Sequence, residues 1–220
     1  MNNTPYPDIN IKLDDKRYAL KNLKLLGHGV ERCAFVDPRD DKKVIKLSFD
    51  EKTKQTKKEI AYLSYLKKKQ IPFIHIPEYY GCFKSKDYIG ISQELICNND
   101  GTKPIFFSDY YKENPKHAET LLVELFAFLY KYNVLVADLT PSVNILVVKK
   151  KTTTALVVID GLYCKPRIPL TKWFKYCGRK SIRKSFYKHL MCLNLNLDEI
   201  WEKVKKLASK KSAQQSKKSL

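Results

Sequence analysis

The sequence predicts an α+β fold, because its first hundred residues show mainly strand patterns and the rest shows mainly helical ones. Short apolar runs of strand type, separated by turn residues, recur up to Ile96. Further along, Leu122, Leu125, Phe126 and Leu129 have the i, i+3, i+4, i+7 spacing of an amphipathic helix. With 220 residues, of which 44% are apolar, we expect one domain or a domain of two small lobes.

The first lobe is predicted to span residues 21–96, after an N-terminal arm at residues 1–20. Its helical pattern runs from Lys54 to Leu66. Gly27 and Gly29 precede a hairpin and could let backbone amides approach a phosphate, although a plain hairpin turn explains the pair equally well. The predicted strands are Lys21–Leu26, Cys33–Val36, Lys43–Leu47, Ile76–Phe83 and Tyr88–Ile96.

The second lobe is predicted to span residues 97–208 and to be mainly helical. Asn98–Gly101 is a turn, Phe107 begins a short helix, and Lys116–Tyr132 is a long amphipathic helix. Three more helices are predicted. The first is capped by Thr171 and contains Trp173, Phe174 and Tyr176, and the second is capped by Ser181 and has Ile182, Phe186 and Leu190 on one face. The last has Leu197, Ile200, Trp201, Val204 and Ala208 on one face. Both tryptophans are interpreted as core residues, and residues 209–220 as a disordered basic tail.

A charged pair is predicted between the third strand and the first helix. Lys46 stands within the apolar strand Lys43–Leu47, and Glu59 shares a helix face with Leu63 and Leu66. An acid beside apolar residues needs a partner, and Lys46 is the obvious candidate. The alternative is an ordinary solvated Glu in a lysine-rich helix.

Two acidic positions follow apolar runs in the second lobe. The run Val134–Val136, which is predicted to be a strand, leads to Asp138, followed by a short turn and Asn144. A second predicted strand, Leu156–Ile159, leads to Asp160 and Gly161. These oxygen-bearing side chains could converge on one cation. The alternative is a β-hairpin in which Asp138 and Asn144 are turn residues.

The cysteines and the charge distribution limit the kinds of site and partner that we expect. The six cysteines lack C-x-x-C spacing, so buried free thiols are expected rather than a metal site. The net charge is +19, and residues 165–220 hold 16 Lys or Arg against three acids, a net of +13. Such a segment could make weak contact with an anionic surface or nucleic acid, or be a solvated face. No run is long enough for a transmembrane helix and no signal peptide is visible, so a cytoplasmic location is the expectation.

The motifs taken together resemble a known family. The stretch D-L-T-P-S-V-N-I-L from Asp138 to Leu146 resembles the catalytic loop of protein kinases. From about Leu26 to Leu190 the chain also resembles the YrbL family, named for the PhoP regulatory network. The motifs that carry this resemblance are, in order, L-G-x-G, V-I-K-L, I-P-E-Y-Y-G, N-D-G-T-K-P, V-I-D-G and I-P-L-T-K-W. This resemblance implies a minimal protein-kinase-like two-lobe fold, with an antiparallel β N-lobe and a mainly helical C-lobe.

The resemblance also implies roles for individual residues, with ATP and Mg²⁺ as the bound groups. Asp138 would be the catalytic base, and Asn144 and Asp160 would be the metal ligands. The nucleotide-binding residues would be Gly27 and Gly29 near the phosphates, Lys46 on a phosphate, Glu59 orienting Lys46, and the backbone from Glu94 to Ile96 as the hinge that holds adenine.

Several positions depart from the kinase pattern. Val136-Ala137 replaces the usual His-Arg, Thr140 replaces a Lys, and Asp138 and Asn144 are six residues apart rather than five. Two functional alternatives therefore stand beside an ATP-dependent phosphotransferase with an unidentified acceptor. One is a pseudokinase that binds a regulatory protein without catalysis, and the other is a basic nucleic-acid or anionic-surface binder.

Overall fold

The computed structural model describes residues 23–29, 32–49, 54–84, 88–163, 171 and 174–216. The chain forms two compact units. The first comprises residues 1–60 and 79–95, and the second comprises residues 61–78 and 96–220. The sequence analysis assigned residues 61–78 to the first lobe, whereas in the structure they group with the second unit, to which Tyr62 and His75 are hydrogen-bonded.

The first unit contains an antiparallel sheet. In the described part of the chain it has five strands, in the order β1-β2-β3-β5-β4. The strands are β1 (Leu25–His28), β2 (Cys33–Asp37), β3 (Asp40–Phe49), β4 (Tyr79–Lys84) and β5 (Tyr88–Glu94). The strands predicted from the alternating pattern are thus confirmed, with shifts at their ends: β1 begins at Leu25 rather than Lys21, and β4 at Tyr79 rather than Ile76.

The two faces of this sheet differ in chemistry. One face carries an apolar cluster of Cys33, Phe35, Ile45, Leu47 and Tyr88. Side chains of a strand alternate between faces, so Val44, Lys46 and Ser48 lie on the other face. There Ser48 Oγ is hydrogen-bonded to Thr56 Oγ1 (2.5 Å), which places helix α1 (Lys54–Lys68) on this second face.

The second unit is mainly helical and also contains a small sheet. Its helices are α2 (Phe107–Glu113), α3 (Pro115–Tyr132), α4 (Lys175–Leu190) and α5 (Leu197–Ser216). The sheet has the order β6-β7-β8, from Ile105–Phe106, Ile145–Lys149 and Thr154–Val158. Phe186 of α4 packs against both neighbouring helices. Its ring centroid lies 4.7 Å from that of Phe126 on α3 and 5.1 Å from that of Trp201 on α5. Trp201 is therefore a core residue, as predicted, and Trp173 lies outside the described residues.

The helix predictions need two corrections. α4 is continuous through Ser181, so the predicted cap at Ser181 is wrong and Tyr176 belongs to the same helix as Phe186. Gly178 is buried inside α4, where a Cβ would collide with Asn133 Oδ1 and Thr171 O. α5 continues to Ser216, beyond the predicted helix end at Ala208, so it includes most of the predicted basic tail.

The segment Val134–Val136 is buried but is not a strand, contrary to the prediction. Two of its backbone N–H groups form hydrogen bonds to separate partners instead of to a neighbouring strand. Leu135 N donates to Tyr62 Oη (2.7 Å), and Val134 N donates to Leu129 O at the end of α3 (2.9 Å). The chain therefore reaches Asp138 along a path anchored to two helices.

The described cysteines are unbridged, but most are not buried as predicted. Cys33 is buried, whereas Cys82, Cys97 and Cys192 are exposed. Burial raises the pKa of the Cys33 thiol, which disfavours a reactive thiolate there. Among the residues that the structure describes, no helix is long and apolar enough to cross a membrane.

Candidate functional site

A buried ion pair dominates the helix-facing side of the first unit. Arg32 precedes β2, and its Nη1 donates to Glu59 Oε2 on α1. Arg32 is 8% exposed and Glu59 is fully buried. Because an unpaired buried carboxylate would be costly, this contact explains how an acid is tolerated on the apolar face of α1. The sequence alone points to Lys46 as the partner of Glu59 and does not identify Arg32 in this role.

Lys46 lies on the same side of the sheet as this ion pair. It is two residues from Ser48, whose hydroxyl contacts Thr56, and Glu59 follows Thr56 by one helical turn. Lys46 is 8% exposed. The structure thus places the predicted phosphate-binding lysine on the face that α1 covers, and it shows Arg32 as a partner of Glu59.

Gln93 is a buried polar residue on this face that the sequence analysis missed. It pairs in register with Val44, so it shares a face with Lys46. Its side chain is fully buried, and within the described part of the chain neither Oε1 nor Nε2 has a hydrogen-bond partner. A buried amide with an unused donor and acceptor is unusual in folded proteins and calls for a polar partner such as an ordered water or a ligand group. The signal in the sequence was a glutamine within the strand pattern Tyr88–Glu94.

Gly27 and Gly29 lie at or just after the end of β1, and the predicted hinge from Glu94 to Ile96 begins at the end of β5. Gly29 N donates to Arg32 O (2.8 Å), and Gly27 lies in β1, where a Cβ would meet nothing within 4 Å. Packing therefore does not require glycine at Gly27. Glu94 ends β5, and Leu95 N donates to Lys42 O (2.8 Å). In the second unit, Ile96 packs against the apolar cluster of the small sheet.

Asp138 sits in a tight turn in the second unit. Its Oδ1 accepts hydrogen bonds from Thr140 N (3.1 Å) and Thr140 Oγ1 (2.6 Å). These bonds fix the orientation of the carboxylate, whose side chain remains 48% exposed. Asp138 is thus a turn-forming residue and, at the same time, an oriented and accessible carboxylate.

Asn144 and Asp160 are brought to Asp138 by the backbone. Asn144 Nδ2 donates to Asp138 O (3.4 Å), and Ile159 N donates to Asn144 O (2.9 Å), which places Asp160 just beyond the end of the β7–β8 hairpin. Gly161 has φ +74°, and a Cβ there would lie 2.9 Å from Asp138 O. This contact requires a glycine, so the Asp160-Gly161 pair fits directly against the Asp138 turn.

The six-residue spacing between Asp138 and Asn144 is absorbed by a turn. Asn144 N donates to Thr140 O (2.9 Å), and Val143 N donates to the same oxygen (3.3 Å). These contacts form one helical turn that returns Asn144 to the start of β7. The extra residue therefore does not carry Asn144 away from Asp138.

The donor set near Asp138 suits a hard cation. Asn144 and Asp160 offer carboxamide and carboxylate oxygens, which Mg²⁺ prefers, and Mg²⁺ commonly takes few protein ligands together with phosphate oxygens and water. Asp160 Oδ1 accepts from Gly161 N (2.6 Å), which orients the carboxylate. No group of three or more His, Cys, Asp or Glu side chains forms a metal cluster in the described ranges. The residues therefore fit Mg²⁺ bound with a nucleotide rather than an all-protein metal cage.

His189 is a second neighbour of Asp138 that the sequence analysis did not identify. It lies near the end of α4, and its Nδ1 is 3.7 Å from Asp138 Oδ1. The two residues are far apart in sequence, and His189 carries no motif of its own, so spatial proximity alone reveals it.

The chain is similar in sequence to the proteins of one family. The profile of the family described as PhoP regulatory network protein YrbL matches residues 18–193. Two curated relatives, both described as uncharacterized protein YrbL, come from Escherichia coli K12 and Shigella flexneri. Each is 26% identical over 161 residues, which cover 69% of this chain and 76% of the relative.

Among solved structures, Rad53 1–466 in complex with AMP-PNP is similar in fold. The TM-score is 0.51 at 12% identity, covering 85% of this chain and 53% of that one, so this chain spans about half the length of the solved structure. This likeness to a protein kinase confirms the predicted α+β, two-lobe kinase-like fold. Since the family profile covers most of the sequence, the chain belongs to the YrbL family of PhoP regulatory network proteins.

Proposed function

We propose that this protein binds ATP with Mg²⁺ and transfers the terminal phosphoryl group to a hydroxyl-bearing acceptor. The observation that carries the proposal is the junction of Asp138, Asn144 and Asp160, in which Gly161 packs against the Asp138 backbone and Asn144 Nδ2 contacts Asp138 O. It combines one oriented carboxylate with an oxygen-donor pair suited to a hard cation.

The residues of the first unit would bind the nucleotide. Lys46 binds a phosphate through its ammonium, and the Arg32–Glu59 ion pair holds the Glu59 carboxylate on that face of the sheet. The Gln93 amide supplies a donor and an acceptor that a purine edge can satisfy. Buried charge-assisted contacts of this kind exceed neutral hydrogen bonds in strength.

The residues of the second unit would carry out the transfer. Asn144 and Asp160 hold the Mg²⁺, which neutralises the phosphate charge. Asp138 accepts the proton of the acceptor hydroxyl, whose oxygen forms a bond to the terminal phosphorus while the bond from that phosphorus to the bridging oxygen breaks and ADP leaves. The bonds from Thr140 to Oδ1 hold the Asp138 carboxylate in place for this step.

The phosphate role of Lys46 is tested by ATP affinity in Lys46→Met, a variant that keeps the aliphatic part of the side chain. We expect a loss of about 1.5–3 kcal/mol in binding free energy, the scale of a hydrogen bond to a charged group. Lys42→Met is the matched control, because Lys42 lies on the same strand and is exposed. Equal ATP affinity in wild type, Lys46→Met and Lys42→Met would exclude Lys46 as the phosphate ligand.

A second candidate function is a pseudokinase that binds nucleotide and a regulatory protein without transfer. It is favoured by the Thr140 Oγ1 bond to Asp138 Oδ1 (2.6 Å), since Thr140 stands where kinases carry a lysine. In this function the Asp138 carboxylate serves the turn only. ATP turnover separates the two functions, because a pseudokinase has background rates both in wild type and in Asp138→Asn.

A further inference from the structure

A cavity of about 290 Å³ lies beside the Asp138 turn, within the second unit. One wall is the buried segment Leu135–Ala137, which leads directly into Asp138. The opposite wall is one face of α4. The volume is at the lower end of the roughly 300–1,000 Å³ typical of small-molecule sites, so it suits a compact ligand.

The α4 wall is polar and basic. Ser181, Lys184, Ser185, Lys188 and His189 follow the i, i+3, i+4, i+7, i+8 spacing, so they form one stripe along the helix. None of the described residues that line the cavity is acidic. Two ammonium groups and several hydroxyls around one space attract an anion that also carries hydroxyl groups.

His189 connects this stripe to the candidate catalytic carboxylate. It lines the cavity, and its Nδ1 is 3.7 Å from Asp138 Oδ1. A ligand in the cavity is therefore next to the group that would accept the acceptor proton.

We infer that this cavity is the acceptor site, and that the acceptor is a small hydroxyl compound bearing a phosphate or carboxylate. Its anionic group binds Lys184 and Lys188, and a hydroxyl reaches Asp138. The inference rests on the proposed function and adds the class of acceptor. The transfer then joins the acceptor oxygen to the terminal phosphorus of ATP, moves the hydroxyl proton to Asp138 and releases ADP.

The test is calorimetric binding of glycerol 3-phosphate, glycerate and glycerol at low salt. The two anions distinguish a phosphate from a carboxylate group, and glycerol is the neutral control. We expect at least one anion to bind and glycerol not to bind. In the Lys184→Gln/Lys188→Gln double variant, the affinity for that anion should fall at least tenfold. The matched control is Lys180→Gln, since Lys180 is exposed on α4 and does not line the cavity.

Each outcome has a defined meaning. Equal affinity in the double variant and wild type, or an equal loss in Lys180→Gln, would overturn the inference, because binding would then reflect general charge. Binding of neither anion also overturns it. ATP affinity measured on the same proteins separates the two proposals: retained ATP binding without anion binding removes the acceptor site and leaves the proposed function. Anion binding without ATP binding removes the phosphotransfer function and with it the acceptor role.

Discussion

The two units hold their functional charges in opposite ways. In the first unit, Arg32 and Glu59 are buried and paired with each other. In the second unit, Asp138 is about half exposed and is held by turn hydrogen bonds from Thr140. Removing a charge from the Arg32–Glu59 pair should therefore lower the free energy of unfolding. Removing the charge of Asp138 should instead lower the rate of phosphoryl transfer, with little change in stability.

The largest expected effect is on folding, in Glu59→Ala. Removing Glu59 takes away the carboxylate that accepts from the buried Arg32, and breaking a buried pair in this way costs about 3–5 kcal/mol. Urea unfolding measures the change. The control is Glu124→Ala, an exposed position on α3, where we expect a change within about 0.5 kcal/mol. A loss below about 1 kcal/mol in Glu59→Ala would show that the pair does not hold this face together.

Asp138→Asn tests the other half of the comparison. The substitution keeps an oxygen that can accept from Thr140, so the melting temperature should stay near that of wild type. Phosphoryl transfer should fall by about 10²-fold or more, the scale of general base catalysis. Asp109→Asn, an exposed position on α2, is the control for rate and stability. Unchanged turnover in Asp138→Asn would exclude the catalytic role.

A glycine pair sharpens the claim that backbone packing builds the second site. Gly161 (φ +74°) and Gly101 (φ +81°) have similar backbone conformations, but a Cβ at Gly161 meets Asp138, whereas one at Gly101 meets nothing within 4 Å. Both alanine variants carry strain of about 1 kcal/mol or more from the positive φ. Gly161→Ala should lose about 1–3 kcal/mol beyond that, as overpacking does, together with Mg²⁺-dependent binding. Equal destabilisation of the two variants would contradict the packing argument.

The smallest expected effect is at Gln93. Replacing its buried amide by the similarly sized Met removes two polar atoms without a described partner, so the ligand-free protein should gain about 1 kcal/mol of stability. ATP affinity should fall at the same time. Thermal denaturation with and without ATP measures both changes. Loss of stability in Gln93→Met without ATP would show that the amide contributes to folding rather than to a ligand site.

Local patterns in the sequence predicted most of the fold. The β3 strand and the α3 helix have clear periodicity, and their positions were found within a few residues. The segment Val134–Val136 was misread because an apolar run does not reveal whether its backbone joins a ladder or separate partners such as Tyr62. The predicted cap at Ser181 was wrong because a serine can also lie on the exposed face of a continuous helix, as it does in α4.

The candidate site was predictable in part. Asp138, Asn144 and Asp160 stood out because oxygen-bearing side chains after apolar runs have a limited set of roles, and the structure brings them together in the second unit. The contact between Arg32 and Glu59 could not be predicted, because the two residues are 27 positions apart and the helix pattern does not specify which cations contact Glu59. His189 was found only through its distance to Asp138.

Calorimetry of ATP with and without Mg²⁺ measures Mg²⁺-dependent nucleotide binding, on which the roles proposed for Asn144 and Asp160 depend. We expect wild type to bind ATP more tightly with Mg²⁺ than without, and Asp160→Asn to lose that gain while keeping Mg²⁺-independent binding. Asp198→Asn, an exposed position on α5, should behave as wild type. Absence of ATP binding by wild type under both conditions would contradict the account, and so would an equal gain from Mg²⁺ in Asp160→Asn and wild type.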